Sequence, residues 1–503
     1  MSTTVLLNVK YGVISQTIKI LLQFVVRKTF IYYLGIELLG VYSLFTSILS
    51  MLAMTELGIG SAIAFSLYKP LAQNDTQKVA AIMSLFRNVY RAIGLVILLV
   101  GCILLPFIPE IVNTTDEIPN LKMMFFIVLL KTSLTYLLFA YSQTLLIAAE
   151  CKYKVDKIIS FFNIITSLGE ISILIFTQNF ILFLLVEMTC LITQQYLIYR
   201  RTYNQFPEVM PRHGIRLGKR DKREIWKNVY GLSISKISGA VLSSIDSVIL
   251  SVFISTTIVG YYVNYSLVQT AATTIISIAF TSVTANIGRK FAENSIMQSH
   301  FFLMFFMNFM ICGTCTILYF VLINDFITLF FGKELLLSFD VVCAISLNMY
   351  ISYMSLTIQV FKDASGIFWY GKYRPLATCI LNILFSLALV KPLGVAGVVI
   401  ATILSRLLTT FWFDPYLIFK YAYKGGLKKY FSIYSFYLFL VFITMVLLEI
   451  IFNRQIFNEV SFRTFIAKAT ISLIITLFIL YIGSMHTKAS RQCFSLIINM
   501  IHK

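Results

Sequence analysis

The sequence predicts an all-α polytopic membrane protein with about fourteen transmembrane helices. Composition is the first reason: 58% of the 503 residues are hydrophobic and only 13% are charged, more apolar surface than a soluble core of this chain could hide. Apolar stretches of about 20 residues, the length that crosses the hydrocarbon of a bilayer, recur from Val13 to Gly483 with short polar connections between them. The prolines are the third reason: Pro70, Pro106, Pro109, Pro119, Pro207, Pro211, Pro375, Pro392 and Pro415 all fall in proposed connections or at helix ends. No length is left over for a soluble domain.

In chain order the spans read as 13–34, 38–67, 81–106, 121–148, 156–177, 180–199, 228–254, 258–285, 298–322, 338–361, 375–390, 394–413, 430–452 and 463–483. The net charge of +19 is distributed as the positive-inside rule requires, so nucleic acid is not needed to explain it. With a cytoplasmic N-terminus, the exterior segments hold only Lys122, Lys333, Lys391, Arg454 and Arg463, and nearly every other loop Lys or Arg is cytoplasmic. Both termini are then cytoplasmic, in a protein of the inner membrane. The N-terminus lacks the basic stretch, short apolar run and small-residue cleavage site of a signal peptide, so the first helix should be retained. The eight cysteines are scattered, mostly inside apolar segments, and imply no disulfide framework; Cys312 and Cys315, a C-x-x-C inside a span, read as packing residues.

Shifting the chain by 220 residues superposes Asn8-Val9 on Asn228-Val229, Ile14-Ser15 on Ile234-Ser235, Gly40 and Tyr42 on Gly260 and Tyr262, and Lys152-Tyr153 on Lys372-Tyr373. One offset across a six-helix block predicts two six-helix lobes. Because each lobe has an even number of spans, the repeats are parallel, and transporters so built bind substrate in a central cavity between their halves. The expected organisation is an N-terminal lobe over 1–199, a cytoplasmic basic linker over 200–227, a second lobe over 228–413, and two extra helices with a cytoplasmic tail over 414–503. The linker carries nine basic and three acidic residues. It reads first as a topology determinant, with attraction to anionic membrane lipids as a second role.

Gln16, Lys19, Gln23 and Arg27 are spaced by three, four and four, which puts them on one face of the first span. At the 220-residue offset the seventh span has Lys236, Gly239, Ser243 and Ser247, with Asp246 alongside, and the eighth adds Gln269 and Thr273. Such faces belong against water or each other, because a cation at mid-bilayer costs about 2.5–3.5 kcal/mol on insertion scales. Lys28 reads as a snorkelling residue; for Lys19 and Lys236, snorkelling and a cavity position both stand. Glu56, Lys131, Glu170, Glu187, Asp340 and Arg406 are further ionisable residues expected to be buried, open to structural pairing or to binding a driving H⁺ or Na⁺. Glu56 and Asp246 are the leading acids for ion coupling, because their helices carry the polar stripes.

Two strings, YLGIELLGVYSLF from Tyr33 and TELGIGSAI from Thr55, resemble the opening of the polysaccharide flippases, the O-antigen and capsule exporters of the multidrug, oligosaccharidyl-lipid and polysaccharide exporter superfamily. PLGVAGVVIATILSRL, within Lys372 to Arg406, is similar to that family's eleventh and twelfth helices. The resemblance implies a V-shaped bundle whose first, second, seventh and eighth helices line the cavity. It also implies a substrate, undecaprenyl-pyrophosphate-linked oligosaccharide, moved to the outer leaflet for surface polysaccharide synthesis alongside polysaccharide assembly proteins. Lys19, Arg27 and Lys236 would meet the pyrophosphate, since Arg grips phosphate oxygens bidentately and Lys supplies a point charge. Gln16, Gln23, Ser243, Ser247, Gln269 and Thr273 would line the path of the sugars.

Two other functions are carried beside this one. An ion-coupled drug or small-metabolite exporter of the same superfamily would share the fold but needs a more acidic cavity, whereas the first-span stripe holds two cations and no acid. A membrane-embedded glycan polymerase or glycosyltransferase would need acids, His or Arg on sizeable exterior loops, or an acidic metal site. The exterior loops are short, and His213, His300, His486 and His502 lie far apart in connections or at helix ends. No nucleotide-binding glycine loop occurs, and neither catalysis nor a cofactor is expected.

Overall fold

The computed structural model describes residues 3–53, 59–114, 118–209, 217–292, 298–365, 371, 373–423, 425–452 and 459–493, and no strand occurs among them. The chain is a multi-pass helical membrane protein. Among the described residues, ten helical stretches are long and apolar enough to cross a bilayer. Two of them, 43 and 49 residues long, hold two crossings each, because about 20 residues suffice for one. With the seventh and eighth spans the described helices agree with about fourteen crossings.

The first double crossing is α1, Thr3–Leu52, which reverses at Gly35. Its φ of 84° lies in the left-handed region open to glycine, so the turn takes a single residue. The second is α13, Arg374–Leu408, which turns likewise at Gly394 next to Pro392. The second crossing continues through α2, Ile59–Ala72, whose last turn contains Pro70. The third is α3, Thr76–Leu104, capped by the Asp75 carboxylate on the Lys78 amide, followed by the short α4, Ile108–Ile111. The fourth crossing, expected as one helix over 121–148, is broken at Phe139 into α5, Leu121–Leu138, and α6, Ala140–Ala148. Then come α7, Lys152–Thr177, and α8, Phe180–Gln205. The turn between them puts Gln178 in the left-handed region and uses the Asn179 side chain to accept from the Ile181 and Leu182 amides.

Helix α8 continues to Gln205 and α9, Lys219–Phe253, begins before the expected start of the seventh span, so both ends of the 200–227 stretch are helical. Lys78 reaches across to Asp221 at 3.0 Å. After α10, Thr256–Ala292, come α11, Gln298–Phe330; α12, Phe339–Ser365; α13; α14, Thr410–Leu417; α15, Leu427–Phe452; and α16, Phe462–Ser484. Pro415 sits inside α14, and a π-helical turn over Ile418–Ala422 follows it. Asp340, expected to be buried, is exposed in the first turn of α12, where a carboxylate is favoured by the helix dipole and keeps its water.

Within these apolar helices the hydroxyls of Thr29, Thr189, Ser172, Thr316, Thr444, Thr470 and Ser484 donate to the carbonyl four residues back. Each is satisfied without water, as hydrocarbon demands.

The chain divides into two compact units, Met1–Gly260 and Tyr261–Lys503. In the first, α9 packs on α1, α2 and α4, so the helix that opens the second repeat is grouped here by its contacts. Gly40 on α1 and Gly260 at the start of α10, positions equated by the 220-residue shift, lie against each other; a Cβ on Gly40 would run into the Thr256 carbonyl, and one on Gly260 would sit 2.5 Å from the Ile36 carbonyl. In the second unit the appended helices are sewn to α11. Lys468 of α16 meets Asp325 at 2.7 Å, both largely buried. Four-residue steps from Lys468 continue the inward stripe through Ser472, Thr476, Leu480 and Ser484. On α15, Tyr430, Tyr434 and Tyr437 face inward and the Tyr437 ring stacks on Phe309 at 3.9 Å, while Phe439, Phe442 and Ile450 are left for lipid.

Replacing Gly40 by Val should lower the thermal unfolding midpoint of the purified protein and its abundance in the membrane, because the added carbon meets backbone that cannot rotate away. A midpoint within 1 °C of wild type, taken as roughly the resolution of such a scan, would show that these helices separate freely.

Candidate functional site

The predicted stripe on the first arm of α1 is present as a continuous helical face. Gln16, Lys19 and Gln23 are exposed on it, and Arg27 is half-buried. On α9, exposure changes in the same direction: Gly239 and Ser243 are exposed, and Ser247 and Asp246 are buried. Ser243 folds its hydroxyl back to the Ala240 carbonyl at 2.8 Å. The backbone places Lys236 one turn before Gly239, whereas its side chain, like Glu56 as a whole, lies outside the described residues.

At its buried end the α1 stripe runs into a cluster of charges assembled from four helices. Arg27 lies beside Tyr42, which the Gly35 turn brings back on the second arm of α1. The Tyr42 hydroxyl donates to Glu187 Oε1 of α8 at 2.9 Å. Lys131 of α5 meets the other carboxylate oxygen of Glu187 at 2.8 Å, with its ammonium 5.5 Å from the Tyr42 ring centroid. Glu170 of α7 is buried next to Glu187 and Lys131. Phe30, Phe180 and Phe183 close round the Tyr42 ring, with centroids 6.1–6.5 Å away. The site therefore holds two cations and two acids behind an aromatic wall. A carboxylate desolvated this far is retained as an anion only while a cation and hydrogen-bond donors face it.

In the second unit, Gln269 and Thr273 occupy a different setting. The Thr273 hydroxyl shares a 2.8 Å hydrogen bond with Tyr353 of α12, and the Tyr353 hydroxyl also reaches the Gln269 carbonyl at 2.9 Å. These residues fasten α10 to α12. Arg406 donates to the Asn348 side chain at 3.0 Å, and Asp414 is clamped by Lys362 at 3.2 Å and by Arg374.

Sequence reasoning named Lys131, Glu170 and Glu187 as buried ionisable residues open to pairing, but it passed over Tyr42 as a partner. The available signal was its place seven residues after Gly35, on the arm that must return antiparallel to Arg27. The Lys468–Asp325 and Asp414 pairs were also missed. Lys468 heads a row of Ser and Thr at four-residue steps, which was a readable sign of a buried polar face.

No protein-family profile matches the chain, and no curated protein matches it in sequence. Solved structures do. A lipid II flippase, MurJ, in an inward closed conformation superposes with a TM-score of 0.67 at 14% identity, over 94% of this chain and 98% of that one. An inward-facing multidrug resistance MATE transporter of the MOP superfamily gives 0.66 at 12% identity, over 82% and 96%. The Vibrio cholerae MATE transporter VcmN, as a mutant, gives 0.54 at 14% identity, over 85% and 99%. The chain shares its fold with these transporters.

Removing Lys131 tests the charge cluster. Lys131→Met leaves the Glu187 carboxylate buried without its cation and should cost about 3–5 kcal/mol of stability, read as a lowered midpoint in thermal unfolding. Lys131→Met with Glu187→Leu should recover most of that loss. A single variant as stable as wild type would mean that water already solvates Glu187.

Proposed function

We propose that this protein moves an undecaprenyl-pyrophosphate-linked oligosaccharide from the inner to the outer leaflet of the bacterial cytoplasmic membrane, supplying surface polysaccharide synthesis. The reading rests chiefly on one observation: a mainly apolar helix exposes Gln16, Lys19 and Gln23 in a row that ends at the half-buried Arg27, with no acid on that face. Exposed cations on a membrane-spanning helix fit a ligand that carries its own negative charge in a lipid-soluble body. A diphosphate does so, and Arg27 and Lys19 offer the bidentate and point-charge contacts that phosphate oxygens accept. The likeness to a lipid II flippase over nearly the whole chain supports the same class of cargo.

In this proposal the halves 1–199 and 228–413 rock about the substrate, with Lys236 on the opposing stripe, and the termini stay in the cytoplasm. Coupling falls to the Glu170–Glu187 cluster. Uptake of H⁺ or Na⁺ there would alter the hold of Lys131 and Tyr42 on Glu187, two residues from Arg27 along a chain of contacts. Asp246, buried on α9, is a second acid within reach of the same role, and Glu56 remains a candidate by its place between α1 and α2. The likeness to MATE transporters supports a second reading, an ion-coupled exporter of drugs or small metabolites, in which the acid cluster matters and the basic stripe does not.

Arg27→Ala should reduce surface glycan display to the level of a strain lacking its flippase, at normal membrane abundance, while Arg27→Lys keeps part of it. In vesicles, translocation should stop when the driving H⁺ or Na⁺ gradient is dissipated. Full glycan display by Arg27→Ala would reject the pyrophosphate role, and drug efflux untouched by that substitution would favour the exporter.

A further inference from the structure

A second cationic site lies in the second unit, on elements that carry neither the α1 nor the α9 stripe. A cavity of about 450 Å³ opens where the start of α11, the start of α15 and the segment after α16 meet. Its mouth carries Lys429 and Lys488, both exposed; Gln298 and Ser432 add polar groups, and the floor is aromatic, from the buried Phe302 and Tyr437. Lys429 stands 4.5 Å over the Phe302 ring, a contact that holds its ammonium at the rim without neutralising it.

The three segments that line the cavity carry charge of one sign. From Pro415 to Leu448 the sequence has Lys420, Lys424, Lys428 and Lys429 and no acid; from Ser484 to Lys503 it has Lys488, Arg491 and Lys503 and again no acid. The α11 segment contributes no acid before Asp325. Immediately along the helices from the cavity, the outer surface becomes hydrocarbon-facing: Phe436 and Phe439 on α15, Phe478 and Ile482 on α16 are all exposed. The charge distribution along the chain assigns this end to the cytoplasm.

We infer that this cavity is a binding site for the headgroup of an anionic phospholipid of the inner leaflet. Its phosphate would sit between Lys429 and Lys488, its headgroup hydroxyls against Gln298 and Ser432, and its acyl chains along the exposed faces of α15 and α16. A soluble phosphate could use the two lysines alone, but it would leave the aromatic floor and the adjoining apolar faces without a partner. The apolar faces beside the mouth therefore favour the lipid.

The test uses the purified full chain in nanodiscs and native mass spectrometry, with phosphatidylglycerol as probe and phosphatidylcholine as the zwitterionic control. Wild type should retain one phosphatidylglycerol in preference to phosphatidylcholine. Lys429→Glu with Lys488→Glu should weaken that retention by roughly thirtyfold or more, since two favourable charges at the membrane surface are lost and repulsion replaces them. Lys429→Arg with Lys488→Arg should keep it. Ser432→Trp, which fills the cavity at constant charge, should also abolish retention, and it carries the test if the charge-reversed variant fails to fold. Lys222→Glu with Arg223→Glu, on α9 and outside the cavity, should leave retention intact. Unchanged retention in the cavity variants, or equal loss in the outside pair, would overturn the site. Displacement of the lipid by inorganic phosphate at millimolar concentration would overturn it too, by assigning the lysines to a soluble anion.

Discussion

Charge inside hydrocarbon has to be answered, by an opposite charge, by hydrogen bonds or by water, and this requirement organises the molecule. Three deep groups are answered within the protein: Glu187 by Lys131 and Tyr42, Asp325 by Lys468, and Asp414 by Lys362 and Arg374. Each group joins different helices, so each also helps to fix which helix lies beside which. Lys468–Asp325 ties the last helix to α11, and Lys131–Glu187 ties α5 to α8. The hydroxyls follow the same rule more simply, by bonding back to their own helix.

Against that background the first arm of α1 stands out. Lys19, Gln16 and Gln23 are exposed on a helix long and apolar enough to cross the membrane, which leaves water or a ligand to satisfy them. The answer is built in at the buried end, where Arg27 joins Tyr42 and the acid cluster behind it. In the proposed function, a path for a charged, lipid-anchored cargo and a titratable site for an ion lie end to end on this helix face. That adjacency is the physical basis of the proposed coupling.

Much of the architecture was legible from residue patterns. Hydropathy located the crossings because the bilayer sets a single length scale, and Gly35 and Gly394 stand between paired spans where a reversal needs a left-handed residue. What escaped is equally physical. Helices α8 and α9 extend beyond the expected spans into the ends of the basic linker, since hydropathy reports where hydrocarbon ends and says nothing about where helix ends. Phe139 breaks a span that has neither proline nor glycine at that point. Asp340 sits at a helix start, where its charge is hydrated, so proximity to an apolar run was a poor guide to burial. Side-chain pairing across helices was the least legible: Glu187 and Lys131 were both visible as ionisable residues, but their union with Tyr42 depends on three-dimensional packing that periodicity does not encode. The spacing along α1 and α9 is the easiest part to read, since which residues share a helical face depends only on the 3.6-residue turn.

The central claim is that the α1 stripe faces an aqueous, substrate-accessible space. It is tested most directly by placing single cysteines at positions 19 and 23 in a background with the eight native cysteines replaced, and measuring modification by a membrane-impermeant thiol reagent. The account predicts rapid labelling at both positions and protection by an undecaprenyl-pyrophosphate-linked glycan. Labelling only by lipid-soluble reagents, with no effect of that glycan, would contradict it.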